Sequence, residues 1–242
     1  MKKASFIGTM MIIASMVVAA SDFDDPEIAA EGGLVVKPYK GKYVVIVNNQ
    51  DRVSPDKFFA PDGGIEGLFN YPVIVIGKNE SMPKAGIVVT VSDNSSAPSL
   101  LIAPEVPWAG VNVAALATDK PKQDVLESRL QKEIFRAFLF SCGVANSEIQ
   151  PCLMRPILHA KDLDKSPLTQ PGPSAIAPVM ETASRLGIFE KTICTYREAC
   201  QLGWAPSPTN EVQRAIWEKV KAEKNEKPAN PIKINYDPAK GE

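Results

Sequence analysis

The chain has 242 residues, 45% of them hydrophobic and 23% charged, with a formal net charge of -1. That length supports one domain, or one with a smaller appendage, and the composition excludes a disordered tail and a membrane bundle. No basic cluster is dense enough to follow a phosphate backbone, which argues against nucleic acid as a partner. A single histidine, His159, excludes chemistry built on two or three imidazoles.

Residues 1–20 read as a secretory signal. Lys2 and Lys3 give the positive start, residues 6–18 the apolar segment, and Val18 and Ala20 the small side chains before a cut ahead of Ser21. The apolar run is short for a bilayer span, which takes about 20 residues, and Asp22, Asp24 and Asp25 follow it. The expectation is a periplasmic or secreted protein with no membrane attachment once the leader is removed.

Short apolar, β-branched runs predict strands over 34–36, 43–47 (YVVIV), 72–76 (PVIVI), 87–91 (IVVTV), 100–103 and 111–116. Such runs are the pattern of strands covered on both faces. Ser54 and Pro55 can open a helix, but Gly63 and Gly64 limit it to a short one. Loops rich in Pro, Ser and Asn occupy 93–99 and 104–108.

The longest predicted helix runs over 122–141. Leu126, Leu130, Ile134, Ala137, Phe138 and Ser141 form one buried stripe, and Gly143 supplies the stop. Glu133 lies at the edge of that stripe, with Lys132 and Arg136 roughly opposite it. Beyond residue 152 the pattern turns helical. A helix over 174–186 closes at Gly187 and contains Pro178. Thr195-Tyr196-Arg197-Glu198 has capping-box spacing and opens a short helix ending by Gly203. Ser207-Pro208 starts another, to about residue 221, with Val212, Ala215, Ile216 and Val220 on one face. A polar tail covers 225–242, in which 232–234 can add a peripheral strand.

The expected architecture is α/β (α+β), a single domain over 21–224. A strand-rich part, 34–141, carries a mixed twisted sheet and the long helix. A mostly helical, cysteine-containing part, 142–224, follows.

Export implies an oxidising compartment in which cysteine pairs persist. The four cysteines lie in the second half. Local pairing, Cys142 with Cys152 and Cys194 with Cys200, closes short segments and would add about 2–3 kcal/mol each. A four-thiolate zinc site is the alternative, although the close cysteine pairs usual for one are absent.

The helix Lys132-Glu133-Ile134-Phe135-Arg136-Ala137-Phe138-Leu139-Phe140-Ser141-Cys142, followed by Cys152-Leu153-Met154, resembles the archaemetzincins, a branch of the metzincin-type zinc peptidases, over roughly residues 35–200. The resemblance implies a metzincin-like fold. It puts Glu133 at the general-base position, Met154 at the methionine-turn position, and Lys132, Arg136 and Cys142 at the three metal positions. Leu139 stands where the family has glycine. Lysine and arginine are cations at neutral pH and offer zinc no lone pair, and a glutamate alone neither polarises a carbonyl nor acidifies water. The expectation is therefore a degenerate member with no metal and no cofactor, inactive as a metallopeptidase.

Other schemes need other residues. A nucleophilic site would have to recruit His159 with Asp162 or Asp164, and no Gly-x-Ser-x-Gly elbow accompanies them. Carboxylates such as Asp93 and Glu105 leave a hydrolase of another class open, and a purely structural envelope role is a third reading. Trp108, in a proline-stiffened loop that the resemblance puts near the rim of a peptide cleft, and Trp204 are candidate ligand contacts. The partner expected is a peptide or an envelope protein, met by strand addition at the former active-site cleft.

Overall fold

β-Branched runs supply the strands, and one long helix supplies the surface against which they pack. The computed structural model describes residues 25–59, 64–103, 105–149, 151–168 and 170–226. The expected leader, the 232–234 strand and most of the polar tail lie outside them. In chain order the elements are α1 (Pro26–Ala30), β1 (Leu34–Val36), β2 (Tyr43–Asn49), a 3-10 turn at Pro55–Lys57, α2 (Gly64–Phe69), β3 (Val73–Gly77), β4 (Ala85–Ser92), β5 (Leu100–Ala103) and β6 (Trp108–Asn112). There follow α3 (Val113–Leu116), α4 (Gln123–Ser141), a 3-10 helix at Ala160–Lys165, α5 (Ile176–Leu186), β7 (Ile193–Thr195), α6 (Tyr196–Leu202) and α7 (Glu211–Glu226). The class is mixed α/β, as the sequence implies.

The described residues gather into two compact units, one of residues 39–191 and one of 25–38 with 192–226. The larger is built on a five-stranded mixed sheet in the order β3-β2-β4-β6-β5. β2, β3, β4 and β6 are parallel, and β5 runs antiparallel to β6 at the edge. Val44, Val45 and Ile46 of interior strand β2 are fully buried in succession, the two-sided cover expected of an apolar run. β4 differs: Ile87, Val89 and Val91 are buried while Val88 and Thr90 are only half-buried, so one of its faces is the better covered.

α4 packs on β4, β5 and β6. The rings of Phe69, Tyr71, Phe135 and Phe138 lie within 6.5 Å of one another, centroid to centroid, in the five pairs they form. The sequence stripe on α4 is buried except for half-buried Ser141, but the burial is wider than a stripe. Every residue from Glu133 to Leu139 is buried, Arg136 included, which corrects its expected placement opposite the core. Arg129 is also buried, and its guanidinium is saturated. Nε and Nη2 donate to Asp164 at 2.7 and 2.8 Å, Nη1 and Nη2 to Asp119 at 2.6 and 2.9 Å, and Nη1 also to the Leu116 carbonyl at 2.9 Å. This clamp ties the 3-10 helix and the segment after α3 to α4.

The smaller unit pairs β1 antiparallel with β7 and packs α6 on α7 around Tyr196, Cys200, Ile216 and Val220. Gly32, at φ +84°, brings its backbone so close to α6 that a Cβ there would lie 2.9 Å from the Tyr196 Cβ. Its carbonyl accepts from Gln213 Nε2 at 2.9 Å.

Several boundaries move for local reasons. The run 111–116 is not one strand: β6 ends at Asn112, whose Oδ1 accepts from the Ala114 N–H at 3.2 Å and starts α3. Pro178 is tolerated because α5 begins at Ile176, which puts it in the first turn where its missing N–H has no intrahelical partner. α7 starts at Glu211 rather than at Ser207, because Asn210 Oδ1 caps the Gln213 N–H at 2.9 Å. Thr195 caps α6 as its spacing predicts, at 3.3 Å from the Glu198 N–H.

The expected disulfides are wrong. All four cysteines are free thiols. Cys142 ends α4 inside the main core, while the Cys152 sulfur accepts from the Met154 N–H at 3.3 Å and donates to the Pro171 carbonyl at 3.2 Å. Cys194 belongs to β7 and donates to the Thr195 carbonyl at 3.4 Å, and Cys200 is buried on α6 in the second core. Cys194 and Cys200 sit in a strand and a helix, and Cys152 lies in the loop beyond α4 with its sulfur held by Met154 and Pro171, so closeness in sequence does not bring either pair of sulfurs together.

Candidate functional site

The site grows from Asn112, which is 2% exposed and is tied to the 93–99 loop and to α3 by five hydrogen bonds. Besides capping α3, its Oδ1 accepts from the Asn94 N–H at 2.9 Å. Its Nδ2 donates to the Asn94 and Ala97 carbonyls at 2.7 and 2.6 Å. Its backbone N–H donates to the Ser99 carbonyl at 2.9 Å. One side chain thus folds the 93–99 loop back on the sheet and delivers Ser99 beside α4. The Ser99 hydroxyl donates to Glu133 Oε1 at 3.0 Å.

Glu133 is 1% exposed, and its second oxygen, Oε2, accepts from Arg136 Nη1 at 2.9 Å, one helical turn along. Both carboxylate oxygens are therefore engaged. Burial holds the Glu133 carboxyl above its ordinary pKa, with Arg136 and Ser99 pulling the other way. Arg136 stacks its guanidinium 5.6 Å from the Phe140 ring centroid. Its Nη2 reaches the Arg155 carbonyl only at 3.5 Å, and its buried Nε has no partner among the described residues.

This pair lines a cavity of about 600 Å3. Ser99, Leu100 and Ile102 from the β5 side, Phe140 from α4, and the 156–160 segment, with His159 and exposed Leu158, form much of the rest of the wall. Leu100 and Ile102 alternate along β5 and so point to one face.

Of the residues singled out in the sequence, Glu133 and Arg136 come together here, and His159 joins them. Lys132 does not line the cavity: its Nζ donates to the Leu163 carbonyl at 2.9 Å, and desolvation lowers its pKa. Cys142 lies in the core, its thiol pushed up to about 12 by burial. Met154 is fully buried and outside the cavity lining. Trp108 is half-buried on β6, its indole donating to Thr90 Oγ1 at 3.0 Å. Trp204, in the smaller unit, has Lys37 Nζ 5.9 Å above its ring.

Asp162 and Asp164 do not serve His159 as orienting carboxylates. The Asp162 carboxylate accepts from the backbone N–H groups of Leu158 and His159 at 3.2 and 2.8 Å, and Asp164 is committed to Arg129. Asp93 is paired with Arg52 at 2.6 Å.

A zinc ion does not fit this donor set. Two of the three metal positions implied by the resemblance are a lysine and an arginine, and the third is a core thiol held protonated by burial. Among the described residues no group of three or more His, Cys, Asp or Glu is arranged to hold a metal. Ser99, Asn112 and the Arg129 clamp were not singled out by sequence reasoning. Asn112 alone carried a signal, an Asn between two apolar runs, which is a cap pattern.

No protein-family model matches the chain, and no curated protein matches it. Among solved structures it is similar to archaemetzincin from Methanopyrus kandleri, at 12% identity over 60% of this chain and 97% of that one, with a TM-score of 0.47. It is similar to archaemetzincin from Archaeoglobus fulgidus in complex with malonate, at 14% identity over 56% and 99%, TM-score 0.44. A zinc-dependent peptidase from Methanocorpusculum labreanum gives 14%, 56%, 99% and 0.43. At these identities the likeness concerns the fold alone, and the chemistry of the cavity is that of its own side chains.

Proposed function

We propose that this chain is an exported, catalytically silent metzincin-like protein that binds an extended peptide segment of an envelope partner in the cavity beside α4. The buried Glu133–Arg136 pair carries this reading. A general base must have a free oxygen facing a metal-bound water, whereas both Glu133 oxygens are occupied, one of them by a cation at an implied metal position.

Binding is supported by the edge of the sheet. β5 ends the strand order, so among the described residues its outer backbone edge pairs with no strand, and Leu100 and Ile102 present side chains to the cavity. An extended peptide gains main-chain hydrogen bonds on such an edge and side-chain pockets beside it. Export rests on the leader pattern. No helix among the described residues is long and apolar enough to cross a membrane.

The test uses the full chain expressed in a bacterium with an envelope. Expected are a mature mass starting at Ser21, no stoichiometric zinc by elemental analysis, a melting curve unmoved by chelator, and no cleavage of a random hexapeptide pool. The same pool should nevertheless perturb the amide resonances of β5. Stoichiometric zinc with chelator-sensitive cleavage would overturn the reading.

A further inference from the structure

α4 carries two buried arginines seven residues apart, Arg129 and Arg136, about two turns along the same helix. They differ in how fully they are satisfied. Arg129 holds two carboxylates: Asp119 on its Nη1/Nη2 edge and Asp164 on its Nε/Nη2 edge, with all four distances between 2.6 and 2.9 Å. Arg136 holds one carboxylate, Glu133, through Nη1. Its Nε/Nη2 edge, the edge on which Arg129 grips Asp164, has only the 3.5 Å contact to the Arg155 carbonyl, and Nε has no partner among the described residues. Arg136 is 4% exposed and lines the cavity, whereas Arg129 does not.

A buried guanidinium donor without an acceptor is destabilising, and the planar fork of arginine matches a carboxylate with two parallel bonds. One guanidinium can serve two carboxylates on its two edges, as Arg129 does with the part-exposed Asp119 and Asp164. The oxygen of Glu133 that Arg136 does not hold is engaged by Ser99. The Nε atom is shielded in the present conformation, so engagement requires the guanidinium to turn. The weak bond to Arg155 is the one released.

We infer that the cavity takes a carboxylate-bearing ligand, gripped on the Nε/Nη2 edge of Arg136, and that the carboxylate is the C-terminus of the bound peptide. The inference rests on the peptide-binding reading above for the source of the carboxylate, but not for the grip itself. The lining carries one cation from Arg136 and one anion from Glu133, so an incoming carboxylate makes its charge-assisted contact to Arg136 while a neutral amide makes a weaker one.

Nitrogen-15 correlation spectra of the full chain read the Arg136 Nε–H signal directly. It is identified by its proximity to the Phe140 ring and by its loss in Arg136→Lys. The probes are a random hexapeptide pool built without Asp or Glu and with free C-termini, the same pool amidated, and sodium acetate against sodium chloride at equal ionic strength. The expected result is movement of the Arg136 signal by the acid pool at concentrations at least tenfold below those the amide pool needs, with acetate moving the same signal at higher concentration. Equal titration by acid and amide pools overturns the carboxylate grip and leaves the peptide reading standing. Acetate alone moving the signal, with neither pool perturbing β5, upholds the grip and removes the peptide. An Arg136 signal that no probe moves overturns the grip, and β5 resonances that neither pool perturbs overturn the peptide reading. The acid–amide comparison is made on the unaltered chain, so a poorly folded Arg136→Lys does not compromise it.

Discussion

Replacing Arg136 with methionine isolates the buried pair. The 2.9 Å separation of Arg136 Nη1 from Glu133 Oε2 corresponds to an attraction of about 6 kcal/mol at an effective dielectric of about 20, before desolvation of either ion is counted. Methionine fills much of the volume but leaves the Glu133 carboxylate buried with one neutral donor, Ser99. Removing one partner of a buried pair costs about 3–5 kcal/mol, and that loss is expected at pH 8 by urea unfolding. Adding Glu133→Gln should return at least half of it, since the uncompensated charge is then gone.

The pH dependence has a definite sign. A carboxyl held above its unfolded-state pKa contributes stability that is present below the unfolded value and lost as pH rises through the folded one. Burial already holds Glu133 high, and without Arg136 it moves higher. The deficit of Arg136→Met must therefore be largest at neutral and alkaline pH and shrink toward pH 5 as Glu133 takes up a proton. A loss below about 1 kcal/mol at pH 8, or a loss equal at pH 8 and pH 5, would refute a desolvated, mutually dependent pair.

Arg129 holds Asp119 and Asp164 below the usual carboxylate range, so the clamp contributes stability above the unfolded-state values that is lost as pH falls through the depressed ones. Asp164→Asn should accordingly show a smaller drop in melting temperature than the parent on acidification below pH 5, and an identical drop would contradict the clamp. With four free thiols, dithiothreitol should leave the melting curve unchanged, and a thiol reagent should titrate four groups after denaturation. In the native state Cys142 should be the slowest to react, because burial raises its thiol to about 12. Gly32→Ala combines a positive φ with a Cβ 2.9 Å from Tyr196, and should destabilise by about 1–3 kcal/mol in chemical denaturation.

Elements whose identity rests on local chemistry were legible in the sequence. The β-branched runs gave five strands close to their observed positions, and Thr195 with Gly203 bounded α6. Errors arose where a polar side chain overrode an apolar run. Asn112 divides what reads as one strand into β6 and α3, and Asn210 sets the start of α7 four residues beyond Ser207, the start that Pro208 advertises. The cysteine pairing failed for a related reason. Proximity in sequence says nothing about which way two sulfurs face once a strand residue and a helix residue have been fixed by their own elements.

The candidate site illustrates a limit of hydrophobic periodicity. A stripe at three- and four-residue spacing finds the face of a helix that meets one neighbour, and on α4 it located Leu126, Leu130, Ile134, Ala137 and Phe138 in the core while missing Phe135. It placed Arg136 outside because it reads charge as exposure. α4 is enclosed on more than one side, by the sheet and by the 3-10 helix, so a second face must be buried even though it carries Arg129, Glu133 and Arg136. Charged groups can occupy such a face only if each finds an opposite charge, and those partners come from Asp119, Asp164 and α4 itself, at separations of 10, 35 and 3 residues. No window of sequence contains the first two relations. The third is visible as an i, i+3 Glu–Arg pair, yet on an exposed helix the same pair would be a weak surface contact. What turns it into the floor of a cavity is the fold of the 93–99 loop around Asn112, which brings Ser99 to Glu133 and leaves one edge of Arg136 without an acceptor.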